Sequence, residues 1–167
     1  MKKILLTLFA SVAMLASCSQ NTEYVIYGTV SNPDLEGAQV FLVPLENAVK
    51  ENIDSVYIHN QTFEFRGTEE KMADIRIERF KRLGTENLLV VTEPGEIYVT
   101  IGQISSGRGT RQNDSLQVWK NLTKQYYQKQ LTREVYVDRT RKMTSDLGEA
   151  STLGTFLNKR FPENTTK

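Results

Sequence analysis

Few residues in this chain could do chemistry, and the spacing of each limits what that chemistry could be. Cys18 is the only cysteine and His59 the only histidine among 167 residues. A Ser-His-Asp relay would have to use His59, but His59-Asn60-Gln61 separates two apolar runs, where a histidine is ordinarily an exposed turn residue. A lone His with scattered carboxylates has no metal-ligand spacing, so neither a metal nor a cofactor is expected. Glu69-Glu70 and Glu93/Glu96 fall in loops or turns, where a glycosidase pair cannot be told from solvated charge. The most site-like stretch is Gly107-Arg108-Gly109-Thr110-Arg111-Gln112-Asn113-Asp114. Backbone amides at a helix N-terminus favour anions, and Arg108 and Arg111 could grip a phosphate or carboxylate in bidentate fashion. Gly107, Arg108, Gly109 and Arg111 are therefore the candidate ligand-binding residues. A plain strand-to-helix connection capped by Asp114 accounts for the same residues, and the phosphate-loop pattern Gly-x-x-x-x-Gly-Lys-Ser/Thr is not met.

A second candidate is a basic helix. Lys120, Lys124, Lys129, Arg133, Arg139, Arg141 and Lys142 face only Glu134 and Asp138, with Trp119, Tyr126, Tyr127 and Tyr136 among them. Such a surface suits anionic headgroups, acidic glycans or an acidic partner. A solvated face beside a core stripe gives the same pattern.

The elements that must carry these residues begin with a leader. Met1-Lys2-Lys3 precedes an uncharged run from Ile4 to Leu15, followed by Ala16, Ser17 and Cys18. That is the layout of a secretory signal peptide, and its apolar run is shorter than the roughly 20 residues a spanning helix needs. Leu15-Ala16-Ser17-Cys18 resembles the bacterial lipobox, which implies that residues 1–17 are removed and that Cys18 carries the lipid. Several acyl chains on one cysteine would hold the protein on the membrane, since stable anchoring takes more than one chain. Residues 18–22 form the tether. Localisation in the cell envelope follows, at the outer membrane on its periplasmic or surface face. Acylation of Cys18 leaves no free thiol, which excludes a cysteine nucleophile or a Cys-x-x-Cys centre from the mature chain.

The mature chain is long enough for one domain with its own core. Its charge is divided. Residues 23–110 hold 8 Lys+Arg and 14 Asp+Glu, and residues 111–167 hold 11 and 6. The acidic part is expected to be an antiparallel β domain and the basic part a helical segment. Period-two alternation runs through Tyr24–Val30, Val40–Val43, Ser55–Ile58, Thr62–Arg66, Asp74–Phe80, Leu88–Val91 and Ile97–Ile101. Ser55–Ile58 and Thr62–Arg66 read as a hairpin. A basic turn through Lys81, Arg82 and Gly84 follows the fifth run, and Glu93-Pro94-Gly95-Glu96 supplies the turn between the last two. Seven strands without intervening helices indicate a mainly β, antiparallel sandwich-like fold. Leu116, Trp119, Leu122 and Tyr126 then open a helix, capped by Asn113 or Asp114, that runs to about Val137. Asp138-Arg139-Thr140-Arg141-Lys142 interrupts it, and a shorter amphipathic segment carries Leu153, Phe156, Leu157 and Phe161.

The order of Gly28-Thr29-Val30, Ile53-Asp54-Ser55, Phe63-x-Phe65-x-Gly67, Glu93-Pro94-Gly95-x-Ile97 and Gly109-Thr110-x-x-Asn113-Asp114 resembles one family. It is the β-rich domain of unknown function found N-terminal to anchored thiol-disulfide oxidoreductases of Gram-negative bacteria, and the likeness covers about residues 23–130. In those relatives a thioredoxin-fold domain with a Cys-x-x-Cys site follows; here the chain reaches Lys167 without one, so the redox activity is not carried over. The resemblance also suggests Asp54-Ser55-Val56 and Asp114-Ser115-Leu116 as O-glycan acceptors, although turn and capping roles explain both.

The expected function is a membrane-anchored, non-enzymatic binding or interaction module with an envelope protein or a glycan as partner. The alternative is an accessory to thiol-disulfide proteins acting through a separate thioredoxin-fold partner. A hydrolase using His59 is the weakest reading. Nucleic acid is not an expected partner, because export removes it and the β portion is acidic.

Overall fold

The computed structural model describes residues 22–78 and 85–162. Cys18, the leader, Phe80, the basic turn at 81–84 and the last residues lie outside them. Alternating side chains build two four-stranded sheets from β1 (Tyr24–Val30), β2 (Gln39–Pro44), β3 (Asp54–Tyr57), β4 (Thr62–Gly67), β5 (Met72–Ile77), β6 (Leu88–Val91), β7 (Gly95–Ile101) and β8 (Ser106–Arg108). One sheet has the order β4-β1-β7-β8 and the other β3-β2-β5-β6. Their inner faces meet in an apolar core that includes Ile26, Phe65 and Ile97 from the first sheet and Leu42, Ile75 and Val90 from the second. This is the expected mainly β sandwich, and it is mostly antiparallel.

Three details differ from the expectation. β1 and β7 pair in parallel, with Tyr24 opposite Gly95 and Val30 opposite Ile101. An eighth strand, β8, occupies what reads as loop in the sequence, because Gly107 gives it no alternation to detect. The tight turn at His59-Asn60-Gln61 forms, with Asn60 and Gln61 at φ 54 and 58, and His59 and Thr62 exchange backbone hydrogen bonds of 2.9 and 3.0 Å. Beyond that bridge the strands part: β3 joins β2 and β4 joins β1. The turn is therefore a crossover between sheets and not a hairpin.

Two glycines, Gly28 and Gly67, are matched to aromatic side chains on the neighbouring strand. A Cβ on Gly28 would lie 2.1 Å from the ring of Phe63, its partner across β1 and β4. A Cβ on Gly67 would lie 2.7 Å from the ring of Tyr24. Each aromatic ring lies over a glycine of the neighbouring strand, which buries the ring and fills the gap left by the missing side chain.

Helices α1 (Arg111–Tyr127), α2 (Arg133–Leu147) and α3 (Thr152–Arg160) follow. They form a third layer on the outer face of the second sheet, where Met72 and Val91 pack with Leu116, Trp119, Leu153 and Leu157. The expected long helix is broken near Lys129, which takes φ 58; Thr132 then caps α2 through the Val135 amide at 3.3 Å. The charged run 138–142 is no interruption: Asp138, Arg139, Arg141 and Lys142 lie on the exposed side of α2. The buried side of α2 is Tyr136, Thr140 and Thr144, four residues apart, and two threonines there carry no apolar signal. None of the helices in the described residues is long and apolar enough to cross a membrane.

Candidate functional site

The loop before α1 places its residues differently from the simple anion cradle that the sequence suggests. Thr110 occupies the N-cap position without a side-chain cap. The positive end of the helix is met instead by protein carboxylates. Glu93 accepts the amides of Gln112 and Asn113 at 2.6 and 3.2 Å, and Asp114 reaches back to the Gly109 amide at 2.9 Å. Asp114 thus has a capping role, on the loop rather than on the helix. Gly109 holds φ +112, and a Cβ there would lie 2.5 Å from the Glu96 carbonyl oxygen, so this position requires glycine. Gly107 lies in β8 opposite Val99.

The two arginines do not converge. Arg108 lies 6.0 Å from the Tyr98 ring centroid, in a shallow depression with Gly109 and Asp114. Arg111 donates to the Asp146 carbonyl oxygen and lines a separate groove between α1 and α2.

Next to this loop, Gln112 and Asn113 join the layers. Asn113 completes a strand-like rung with Val91, accepting from its amide at 3.0 Å and donating to its carbonyl at 2.7 Å. Gln112 donates to Glu70 at 2.7 Å and accepts the Leu153 amide at 2.9 Å. Both side chains are buried. Their role is structural and binds sheet, α1 and α3 together.

A large concave surface that gathers chemistry from several elements lies at the other end of α1. A cleft of about 710 Å³ opens between the α1–α2 turn and the end of α3. The break at Lys129 folds α2 back, so that Tyr136 stacks on Tyr126 with ring centroids 4.8 Å apart and planes 9° from parallel. Phe161 meets Tyr136 edge-on at 5.5 Å, and Tyr127, 78% exposed, lies beside Tyr126. The Tyr136 hydroxyl is fixed by Thr123 at 2.9 Å. Trp119 lines the inner wall, and its indole nitrogen is buried with no hydrogen-bond partner among the described residues. Arg133, Arg141 and Arg160 supply positive charge around the cleft, with Glu134 and Asp138 as its acids; Lys159 also borders it but is paired with Glu46 at 2.8 Å. The Arg160 guanidinium lies 4.8 Å from the Phe156 centroid and 5.9 Å from that of Trp119, in cation–π range. Planar apolar walls with cations around them fit a ligand that offers one flat apolar face and a negative group.

Trp119, Tyr126, Tyr127, Tyr136, Arg133 and Arg141 are therefore brought to one site. Lys120 leaves the group: its ammonium lies 3.4 Å from the Leu89 carbonyl oxygen against the sheet, and burial lowers its pKa to about 8. The sequence did not reveal that Arg160 and Phe161 would join the cleft. Their signal, a basic pair ahead of Phe161 on an amphipathic segment, gives no indication of which helix they will face.

His59 is exposed in its turn. Ser55 lies exposed on β3 and accepts from Gln39 at 2.9 Å; Ser115 donates to the Arg111 carbonyl at 2.9 Å. Among the described residues no three His, Cys, Asp or Glu side chains are grouped so as to hold a metal ion.

A two-sheet sandwich with a helical layer defines a β-rich fold class, and the family follows from comparison. The model of the family described as "Domain of unknown function (DUF4369)" matches residues 24–116. That is more than half of the chain, and the protein belongs to this family. No curated protein and no solved structure matches it. The matched segment spans the sandwich and the start of α1, and the residues lining the aromatic cleft, from Trp119 to Pro162, all lie beyond it.

Proposed function

We propose that this protein is a lipid-anchored, non-enzymatic binding module of the cell envelope, held at the outer membrane through Cys18, whose aromatic cleft takes a segment of an acidic glycan. The cleft itself carries this reading. Stacked tyrosines present flat apolar surface of the kind that sugar C–H faces cover, and the guanidinium groups of Arg133 and Arg160 can pair with a uronic carboxylate. The lipobox-like sequence before Cys18 supports the location, because the natural partners at that address are envelope polymers and proteins.

Trp119 is the only tryptophan in the sequence and lines the cleft, so its fluorescence reports occupancy. Titration of the mature protein with a polyuronate should shift the emission, and neutral dextran should not. Tyr127→Ala and Arg133→Ala should each weaken binding about tenfold, a loss of roughly 1.4 kcal/mol, with the fold unchanged by circular dichroism. The recovered polymer should be unshortened. Equal response to dextran, or full affinity in both variants, would remove the cleft from the reading. Intact mass carrying the acyl increment tests the anchor separately, and Cys18→Ser should release the protein from membranes.

A further inference from the structure

We infer that the outer face of the α1–α2 hairpin lies on an anionic phospholipid surface, with the first turn of α1 beside the lipid anchor. The inference rests on the anchored reading of Cys18 and adds an orientation to it. The Glu23 carbonyl oxygen accepts the Gly95 amide at 3.0 Å, so the chain is fixed to the sandwich from Glu23 onward. Four residues, Ser19 to Thr22, separate it from Cys18. At about 3.3–3.6 Å per residue the exit point stays within about 20 Å of the bilayer.

That exit point adjoins α1. Tyr24 pairs with Gly95, and a Cβ on Gly95 would lie 3.2 Å from the methyl of Thr110, the residue before the helix. A groove of about 420 Å³ starts there and runs between the two helices. Arg111, Val118 and Leu122 fall on one side of α1, and Arg139, Lys142 and Met143 face them from α2. Arg111 to Leu122 spans about 16 Å of helix, a length comparable with the reach of the tether.

The chemistry of the groove fits headgroups. Arg111, Arg139 and Lys142 are exposed, Asp146 is the only carboxylate in the lining, and Val118 is 53% exposed on the floor. Basic side chains bordering an apolar strip are the pattern of helices that lie in the interface of an anionic membrane. Two carboxylates beside the start of α1 are turned inward. Glu93 is turned onto the α1 amides, and Glu70 onto Gln112 and Thr152. In this pose the aromatic cleft, which takes Trp119, Thr123 and Tyr126 from α1, lies about a quarter-turn around the helix from Val118 and Leu122 and is left open to its ligand.

The test uses the mature lipidated chain in vesicles containing phosphatidylglycerol. With Cys18 acylated, an introduced cysteine is the only thiol, so Val118→Cys and, at the far end of β7, Ile104→Cys can each carry one fluorophore. Quenching by a lipid-borne quencher should be about threefold stronger at 118 than at 104, and Arg139→Glu with Lys142→Glu should bring the two to one level. Equal quenching on a chain with its acyl mass confirmed would overturn the orientation and leave the anchor standing. Undiminished quenching at 118 on purely phosphatidylcholine vesicles would overturn the anionic assignment. A chain without acyl mass that fails to join vesicles would overturn the anchor, and the orientation with it.

Discussion

The two buried layers of this protein are built on different principles. Between the sheets the interior is an apolar cluster in which each side chain is held by shape, with Phe63 over Gly28 and Tyr24 over Gly67. Between the second sheet and the helices the apolar cluster is smaller, and polar side chains are buried in the helical layer: Gln112 and Asn113 on α1, Thr140 and Thr144 on α2. A dry, self-complementary interior specifies itself. A layer attached by a few directed hydrogen bonds depends on those bonds for its position. The family match ends near the start of α1, so the shared part is the self-specifying one and the helical layer is where this chain carries its cleft. The charges follow the same division, acidic in residues 23–110 and basic in 111–167.

The contrast can be broken most severely from the sandwich side. Gly28→Val would drive the Phe63 ring out of its place and is expected to destabilise the whole chain by more than about 4 kcal/mol. Sheet and helix signals should be lost together in urea; survival of the helices without the sheets would show the layers to be independent. Asn113→Ala comes next. It leaves the Val91 amide and carbonyl without their partner inside the protein, at about 3 kcal/mol, and hydrogen exchange should quicken in α1–α3 and β6 while β1 and β7 stay protected. Uniform quickening would erase the distinction between the two layers.

What the sequence disclosed follows the same division. Strands β1, β4 and β7 were legible because burial alternates along each, and β2 because its apolar run Val40–Val43 ends at Pro44. β8 was not, since Ser106-Gly107-Arg108 has no apolar member and earns its place by pairing with Tyr98, Val99 and Thr100. The parallel β1–β7 pair was also hidden, because period two records which face a residue takes and says nothing about strand direction. In the helical layer the buried side of α2 is Tyr136-Thr140-Thr144, whose threonines bond the carbonyls of Tyr136 and Thr140 at 2.8 and 3.0 Å. No apolar period marks it. The cleft was half legible: Trp119, Tyr126, Tyr127 and Tyr136 stood out among basic residues, but only the fold-back at Lys129 brings Tyr126 and Tyr136 into stacking contact.

Titration separates the layers by sign. Lys120, in the helical layer, has its pKa lowered to about 8 by burial. The unfolded chain therefore binds more protons from about pH 8 to the ordinary lysine value near 10.5, and stability rises with pH through that window. Tyr24, in the sandwich, is raised to about 12, first by burial and then by the charges of Asp54 and Glu69. The unfolded chain loses that proton first, so stability falls from about pH 10 upward. Urea midpoints should climb above pH 8 and turn over near pH 10. Lys120→Met should remove the climb and add about 1 kcal/mol at pH 7, while Tyr24→Phe should remove only the descent.

The smallest expected effect lies at the crossover turn, where the sandwich also relies on a directed polar contact. The Glu36 carboxylate accepts the amides of Asn60 and Gln61 at 2.9 and 3.0 Å, the two residues held at positive φ. These bonds lower its pKa, the Gln61 amide most and the Asn60 amide next. A depressed carboxylate contributes stability above its unfolded pKa and loses it as pH falls through the folded one. Glu36→Gln should flatten the acid limb of the stability profile slightly and leave the pH 8–10 climb from Lys120 untouched. Glu36 is fully solvated, so added salt should screen much of the difference between the two proteins. If the variant instead loosened the cleft, shown by a changed Trp119 emission in the absence of ligand, the turn and the helical layer would be coupled through the sandwich. The division between a self-specifying core and an attached layer would then have to be redrawn.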